Sequence, residues 1–106
     1  MTDNNGAIIY AGGMKLDCEH GIVEYRGTVT SLTPIETRLL QTLMQNLGRV
    51  VSRRELIRAV WADEQPDDDR NRLDVYIHFL RRKVEPDPQS PTLIITRRGL
   101  GYELHL

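Results

Sequence analysis

Two short segments constrain this chain more than any other feature. Thr33-Pro34-Ile35-Glu36 and Ser52-Arg53-Arg54-Glu55 each place a hydroxyl residue three positions ahead of a glutamate. In that spacing the hydroxyl accepts a hydrogen bond from the glutamate's backbone N–H, and the carboxylate reaches back to the N–H of the cap. Pro34 adds a residue whose fixed φ suits the first helical position. Leu39, Leu40, Leu43, Met44 and Leu47 follow the first box at steps of three and four, and Gly48 is expected to close that helix. Leu56, Ile57, Val60 and Trp61 follow the second box and form one face of a second helix.

A third helix is expected from about Arg70 to about Val84, with Pro86 and Pro88 blocking its continuation. Its apolar stripe is Leu73, Tyr76, Ile77, Leu80 and Val84. The chain before residue 33 has a different period. Ala7-Ile8-Ile9-Tyr10-Ala11, Met14 and Leu16 alternating with Lys15 and Asp17, Ile22-Val23-Glu24-Tyr25 and Thr28-Val29-Thr30-Ser31-Leu32 read as up to four short antiparallel strands. Gly12-Gly13, Glu19-His20-Gly21 and Arg26-Gly27 break them. Two more strands, Leu93–Thr96 and Tyr102–His105, flank a turn at Arg98-Gly99-Leu100-Gly101. An α+β fold follows: strands over about 7–32, helices over about 34–84 and a hairpin over about 93–105, in one domain spanning 1–106. Three helices followed by a hairpin are the layout of a winged helix-turn-helix, whose later helix fits the major groove of DNA.

The net charge of −1 gives no global argument for a polyanionic partner, but the charge is segregated. Residues 63–69 carry Asp63, Glu64, Asp67, Asp68 and Asp69 with no base, and residues 70–83 carry five bases against Asp74. Local patches set an electrostatic footprint, although a solvated loop beside a solvated helix face gives the same pattern. Other classes find little support. His20, His78 and His105 are far apart, Cys18 is the sole cysteine, and no zinc spacing, Walker loop, nucleophile elbow or calcium loop is present. Neither enzyme activity, a metal nor a cofactor is expected. No stretch approaches the roughly 18 apolar residues of a membrane span. The N-terminus MTDNNGAIIYAGG lacks a secretory pattern, and a single cysteine fits a reducing cytoplasm.

Removing the apolar stripe from the third helix leaves a second face. Arg72, Val75, Phe79 and Arg82 recur on the opposite side, flanked by Asn71, His78 and Arg81. Two apolar residues among arginines suit a DNA-reading surface, since apolar groups meet thymine methyls and guanidinium groups pair with guanine edges or phosphates. The alternative for Phe79 is local packing under the wing or the acidic loop.

Residues 32–106 resemble the DNA-binding domains of OmpR/PhoB-type response regulators. The resemblance rests on Leu32-Thr33-Pro34-Ile35-Glu36 with Leu39-Leu40, on Gly48 through Ser52-Arg53, and on Ala59-Val60-Trp61. Leu73-Asp74-Val75-Tyr76-Ile77, Leu80-Arg81-Arg82-Lys83-Val84 and Thr96-Arg97-Arg98-Gly99-Leu100-Gly101-Tyr102 complete it. It implies sequence-specific binding of double-stranded promoter DNA in transcriptional regulation. Arg72, Val75, His78 and Phe79 would then read bases, and Arg98 would enter the minor groove, where negative potential draws a guanidinium. Arg53, Trp61, Asn71, Tyr76, Arg81, Arg82, Thr96, Arg97 and Tyr102 would hold the DNA backbone. Trp61 also suits a core anchor between helices, and Arg97 a solvated wing charge. The acidic residues Asp63, Glu64, Asp67, Asp68 and Asp69 match a segment that contacts RNA polymerase, or they serve as a solubilising loop at a helix N-terminus.

The sequence departs from the family at Phe79, Arg72, Asn71 and His78, so the family's DNA target does not transfer to this chain. Asp74 faces a surface where an acid repels phosphates and is expected to pair with a nearby base or with His78. A receiver domain in a longer parent chain is one possible context, and a stand-alone regulator is another. The free domain is expected to be a monomer and to form a head-to-tail pair on DNA, with the N-terminal sheet of one copy against the wing of the next, near Arg97 or Glu103. The competing function is a winged helix that binds protein rather than DNA, which the net charge and Phe79 favour and the arginines oppose.

Overall fold

The computed structural model describes residues 7–61 and 70–106. The acidic residues Asp63, Glu64, Asp67, Asp68 and Asp69 lie outside the described residues, as does the side chain of Asn71.

Four strands open the chain: β1 (Ile8–Ala11), β2 (Met14–Asp17), β3 (Ile22–Tyr25) and β4 (Thr28–Ser31). They pair in sequence order as an antiparallel meander. Alternation assigns the two faces. Met14, Leu16 and Val23 are buried against the helices, and Ile8, Tyr10, Ile22 and Val29 remain exposed on the other face. The β3–β4 turn uses Arg26-Gly27, both at positive φ (52° and 81°), which matches the twist of a two-residue hairpin.

Helix α1 (Pro34–Gln45) and helix α2 (Arg53–Val60) begin at the two capping boxes. The Thr33 N–H donates to Glu36 Oε1 at 2.9 Å and the Glu36 N–H donates to Thr33 Oγ1 at 3.2 Å. The second box repeats this between Ser52 and Glu55 at 3.2 and 3.0 Å. Glu36 is buried and carries a second duty, since its Oε1 accepts from Lys83 Nζ at 2.7 Å. Lys83 therefore turns inward, and the basic run that it belongs to in sequence presents fewer charges outward than a count suggests.

The end of α1 differs from the expectation. The helix stops at Gln45, and Asn46 caps it by donating its N–H to Leu43 and Met44 carbonyls. Leu47 lies beyond the cap and is exposed. Gly48 donates its N–H to the Leu104 carbonyl at 3.1 Å, which steers the chain into a short strand, β5 (Val51–Ser52). A two-residue strand is too short to show a period, and the sequence reading has none there.

Helix α3 (Arg70–Val84) buries Leu73, Ile77 and Leu80 completely or nearly so, with Tyr76 and Val84 packed at the margins of the same core. Glu85 then organises the return of the chain. Its buried carboxylate accepts the backbone N–H groups of Thr92, Leu93 and Ile94 at 2.7–3.1 Å. This launches β6 (Ile94–Arg97), which pairs with β7 (Gly101–Leu104). The second sheet has the order β5-β7-β6.

Gly101 lies inside β7 rather than in the turn, where the sequence reading had put it. A Cβ at Gly101 would sit 2.0 Å from the Val51 carbonyl oxygen and 2.8 Å from Ser52 Cα. The backbone of β5 approaches too closely for any side chain, so the glycine is required by the β5–β7 contact. Gly101→Ala should force those strands apart. Overpacking of this kind costs about 1–3 kcal/mol or more, and a melting temperature roughly 5–20 °C lower is expected by thermal unfolding. An unchanged melting temperature would contradict the close approach.

Candidate nucleic-acid interface

Burying Leu73, Ile77 and Leu80 leaves one outcome for the opposite side of α3. Arg72, Val75, His78, Phe79 and Arg82 are all exposed, Val75 at 47% and Phe79 at 38%. The sequence-predicted reading residues of this helix thus share a solvent-facing surface. Beneath them runs a series of rings. Trp61 meets Tyr76 at 5.8 Å between centroids, and Tyr76 meets Phe79 edge-on at 5.7 Å. Phe79 borders a groove with Glu36, Arg82 and Lys83, on the α1 side of the helix. Its ring neighbours among the described residues are Tyr76 and His78, and the acidic loop of the local-packing alternative lies outside the described residues.

Trp61 is buried, with 6% of its surface exposed, and the Arg72 guanidinium lies 4.8 Å over its ring. Trp61 is part of the core, and the same ring positions Arg72 at the start of the outward face of α3.

On the other flank, α3 is bound to the wing. Arg81 donates to the Ile94 carbonyl at 2.7 and 3.1 Å and to Thr96 Oγ1 at 2.8 Å. Its guanidinium also lies 5.7 Å from the Tyr102 ring centre. Three residues expected to hold DNA backbone, Arg81, Thr96 and Tyr102, are thus brought together and engaged with one another. Arg97 pairs across the hairpin with Glu103 at 2.8 Å, so it is a paired wing charge rather than a purely solvated one. Arg98 is exposed at the turn, beside Leu100 at 64% exposure. Leu100 carries no functional signal in the sequence, but an apolar residue between Gly99 and Gly101 at a hairpin tip has nowhere to bury.

Asp74 joins three elements. Arg53, the first residue of α2, donates to its carboxylate at 2.6 and 3.4 Å, and the Tyr102 hydroxyl of β7 donates to Asp74 Oδ1 at 2.5 Å. The expected partner of Asp74 was a nearby base or His78. The base is Arg53. His78 is not involved, because its ring lies against Phe79 on the outer face. Burial pushes the Asp74 carboxyl up, but the hydrogen bonds from Arg53 and Tyr102 more than offset this and hold it below the usual aspartate range. The same contact with Asp74 raises the Arg53 guanidinium further above its ordinary value. Burial, then the bond to Asp74, raises the Tyr102 phenol.

Among the described residues no cluster of His, Cys, Asp or Glu could hold a metal ion, and no helix is long and apolar enough to cross a membrane.

An antiparallel sheet, three helices and a C-terminal hairpin packed beside the third helix make a winged helix. The family model described as "Transcriptional regulatory protein, C terminal" matches residues 27–104. Sensory transduction protein RegX3 of Mycolicibacterium smegmatis is 40% identical over 106 residues, which covers 97% of this chain and 46% of that protein. Transcriptional regulatory protein AfsQ1 of Streptomyces coelicolor is 42% identical over 93 residues, covering 88% and 41%. The chain spans about half the length of the curated relatives it matches. Among solved structures, the DNA-binding domain of CpxR from E. coli superposes with a TM-score of 0.73 at 30% identity, covering 93% of this chain and 96% of that one. The Klebsiella pneumoniae RstA DNA-binding domain, in complex with the RstA box, gives 0.77 at 26% identity, covering 92% and 96%. The chain belongs to the OmpR/PhoB-type family of DNA-binding domains of transcriptional regulators, a family that is not an enzyme class.

The Asp74 junction has a pH signature. A carboxyl whose folded-state pKa is depressed adds stability that is complete above the unfolded-chain pKa, and that stability is lost as pH falls through the lower folded value. Stability of the unmodified chain should therefore drop more steeply below about pH 4 than that of Asp74→Asn, followed by urea unfolding across pH. Parallel acid limbs would contradict the assignment.

Proposed function

We propose that this chain binds double-stranded promoter DNA sequence-specifically and acts in transcriptional regulation, as the output domain of a two-component response regulator or of a stand-alone relative. One observation carries the reading. The face of α3 opposite the core presents Arg72, Val75, His78, Phe79 and Arg82 together, and the wing turn with Arg98 belongs to the sheet that Arg81 bonds to this helix. In this reading α3 lies in the major groove with Arg72, Val75, His78 and Phe79 at base edges, and Arg98 follows the minor groove. Arg53, Tyr76, Arg81, Arg82, Thr96, Arg97 and Tyr102, with Asn71, line the backbone on either side. Trp61 acts from beneath, through Tyr76 and Arg72.

The relatives are about twice as long as this chain, which supports a receiver domain as a partner in a longer parent protein. A contact of Asp63, Glu64, Asp67, Asp68 and Asp69 with RNA polymerase, a monomeric free state, a head-to-tail pair on DNA and a cytoplasmic setting belong to the same proposal. So does the absence of catalysis. A protein-binding role is the second reading, favoured by exposed Val75, Phe79 and Leu100 on a chain of net charge −1.

Salt separates the two. With about four to five phosphates neutralised, the log of the DNA affinity should fall with log salt at a slope near −4, taking about −0.9 per phosphate. Fluorescence titration of a labelled random duplex across salt concentrations measures this. A flat dependence, or no binding at low salt, would favour the protein-binding role.

A further inference from the structure

The tip of the wing is held rigidly and carries a leucine. The Leu100 N–H donates to the Arg97 carbonyl at 2.8 Å and closes the turn between β6 and β7. Gly99 stands at φ 77°, a turn position that favours glycine. Directly after Leu100, Gly101 is clamped by the β5 backbone, since a Cβ there would lie 2.0 Å from the Val51 carbonyl oxygen. The backbone of Leu100 is thus fixed from both sides, and its glycine neighbours offer no side chain to cover it. The residue is 64% exposed. A lone exposed leucine is ordinary on a protein surface. This one is set apart by its place, because Arg98, the guanidinium assigned above to the minor groove, is exposed on the same turn two residues earlier.

We propose that Leu100 is a specificity-determining residue: it enters the minor groove beside Arg98 and disfavours G·C pairs there. The inference rests on the DNA-binding reading above. The minor-groove edge of an A·T pair shows only acceptors, whereas G·C adds the exocyclic amino group of guanine, a donor. That donor is satisfied by water in free DNA. Leucine displaces the water and supplies no acceptor, so a G·C pair beneath it leaves a donor buried and unpaired. Leucine is among the apolar side chains that minor-groove proteins press against base steps. Arg98 responds to negative potential and so to groove width, while Leu100 responds to the amino group itself. Two adjacent side chains therefore contribute separate preferences for A·T pairs, on a turn whose geometry is set before DNA arrives.

Modified bases isolate the minor groove. Deoxyinosine paired with cytosine keeps the major-groove edge of G·C and lacks the minor-groove amino group. Diaminopurine paired with thymine keeps the major-groove edge of A·T and adds that group. A duplex selected from a random pool by the unmodified chain should be scanned with both replacements, one pair at a time, by fluorescence titration. At the pairs under the wing, diaminopurine should weaken binding about five- to tenfold, and inosine in place of guanine should not. Leu100→Ala should cut the diaminopurine penalty to about twofold, the remainder belonging to Arg98, and should keep the salt slope because no charge is lost. Arg98→Ala should flatten that slope by about 0.9. Leu100→Asn, which supplies an acceptor, should tolerate diaminopurine. Leu100 lies outside the core, so these variants should melt with the unmodified chain. A chain indifferent to the amino group at every pair overturns the inference. So does a penalty that survives Leu100→Ala, or a Leu100→Ala variant that weakens every duplex equally; in each of these cases DNA binding itself still stands. If the unmodified chain binds no duplex, or binds without salt dependence, the DNA-binding reading fails instead.

Discussion

Burial of Leu73, Ile77 and Leu80 against α1 and α2 is the constraint on which the rest of the structure depends. These residues are 0–1% exposed, and their spacing permits only one rotation of α3 about its axis. Once that rotation is set, Arg72, Val75, Phe79 and Arg82 must face outward, Arg81 must reach the wing and Asp74 must meet Arg53. A large-to-small change in this stripe costs about 2–5 kcal/mol and would loosen the helix that carries the proposed reading surface. In that proposal stability and function draw on the two faces of one helix.

Among the described residues, Glu36, Glu85 and Asp74 each tie separate elements together. Glu36 serves its own helix cap and Lys83 of α3, Glu85 gathers the first N–H groups leading into β6, and Asp74 joins α2 to β7. This explains how a chain of net charge −1 can carry an arginine-rich face. Two of these carboxylates are buried and the third is paired, so their charge is balanced by local N–H groups and cations and is not opposed to the outward-facing arginines. Net charge is a poor guide to partner when two acids are buried, a third is paired and arginines share an outward face.

The parts of the fold that announce themselves in the sequence are those governed by local chemistry. The capping boxes at Thr33 and Ser52, the strand alternation around Met14 and Leu16 and the α3 stripe are each set by residues within a few positions of one another. What stayed hidden depends on distant partners. Strand β5 exists because β7 accepts it, and Gly101 is glycine because the Val51 carbonyl passes 2.0 Å from where a Cβ would be. Glu85 looks like an ordinary acid after a helix until the N–H groups of residues 92–94 fold over it. On the candidate surface, periodicity was enough to assign which residues of α3 face outward. It could not reveal that Arg81, Thr96 and Tyr102 bond to each other, or that Asp74 selects Arg53 over His78, since those contacts span 15 to 28 positions.

The central claim is that the outer face of α3, together with the wing turn, is the surface that meets DNA. Chemical-shift perturbation of the uniformly labelled chain on titration with duplex DNA tests it residue by residue. The largest shifts are expected at Arg72, Val75, His78, Phe79 and Arg98, with Tyr10 and Val29 on the outer face of the first sheet undisturbed at one copy per duplex. Shifts concentrated on that sheet, with α3 and the wing silent, would contradict the account.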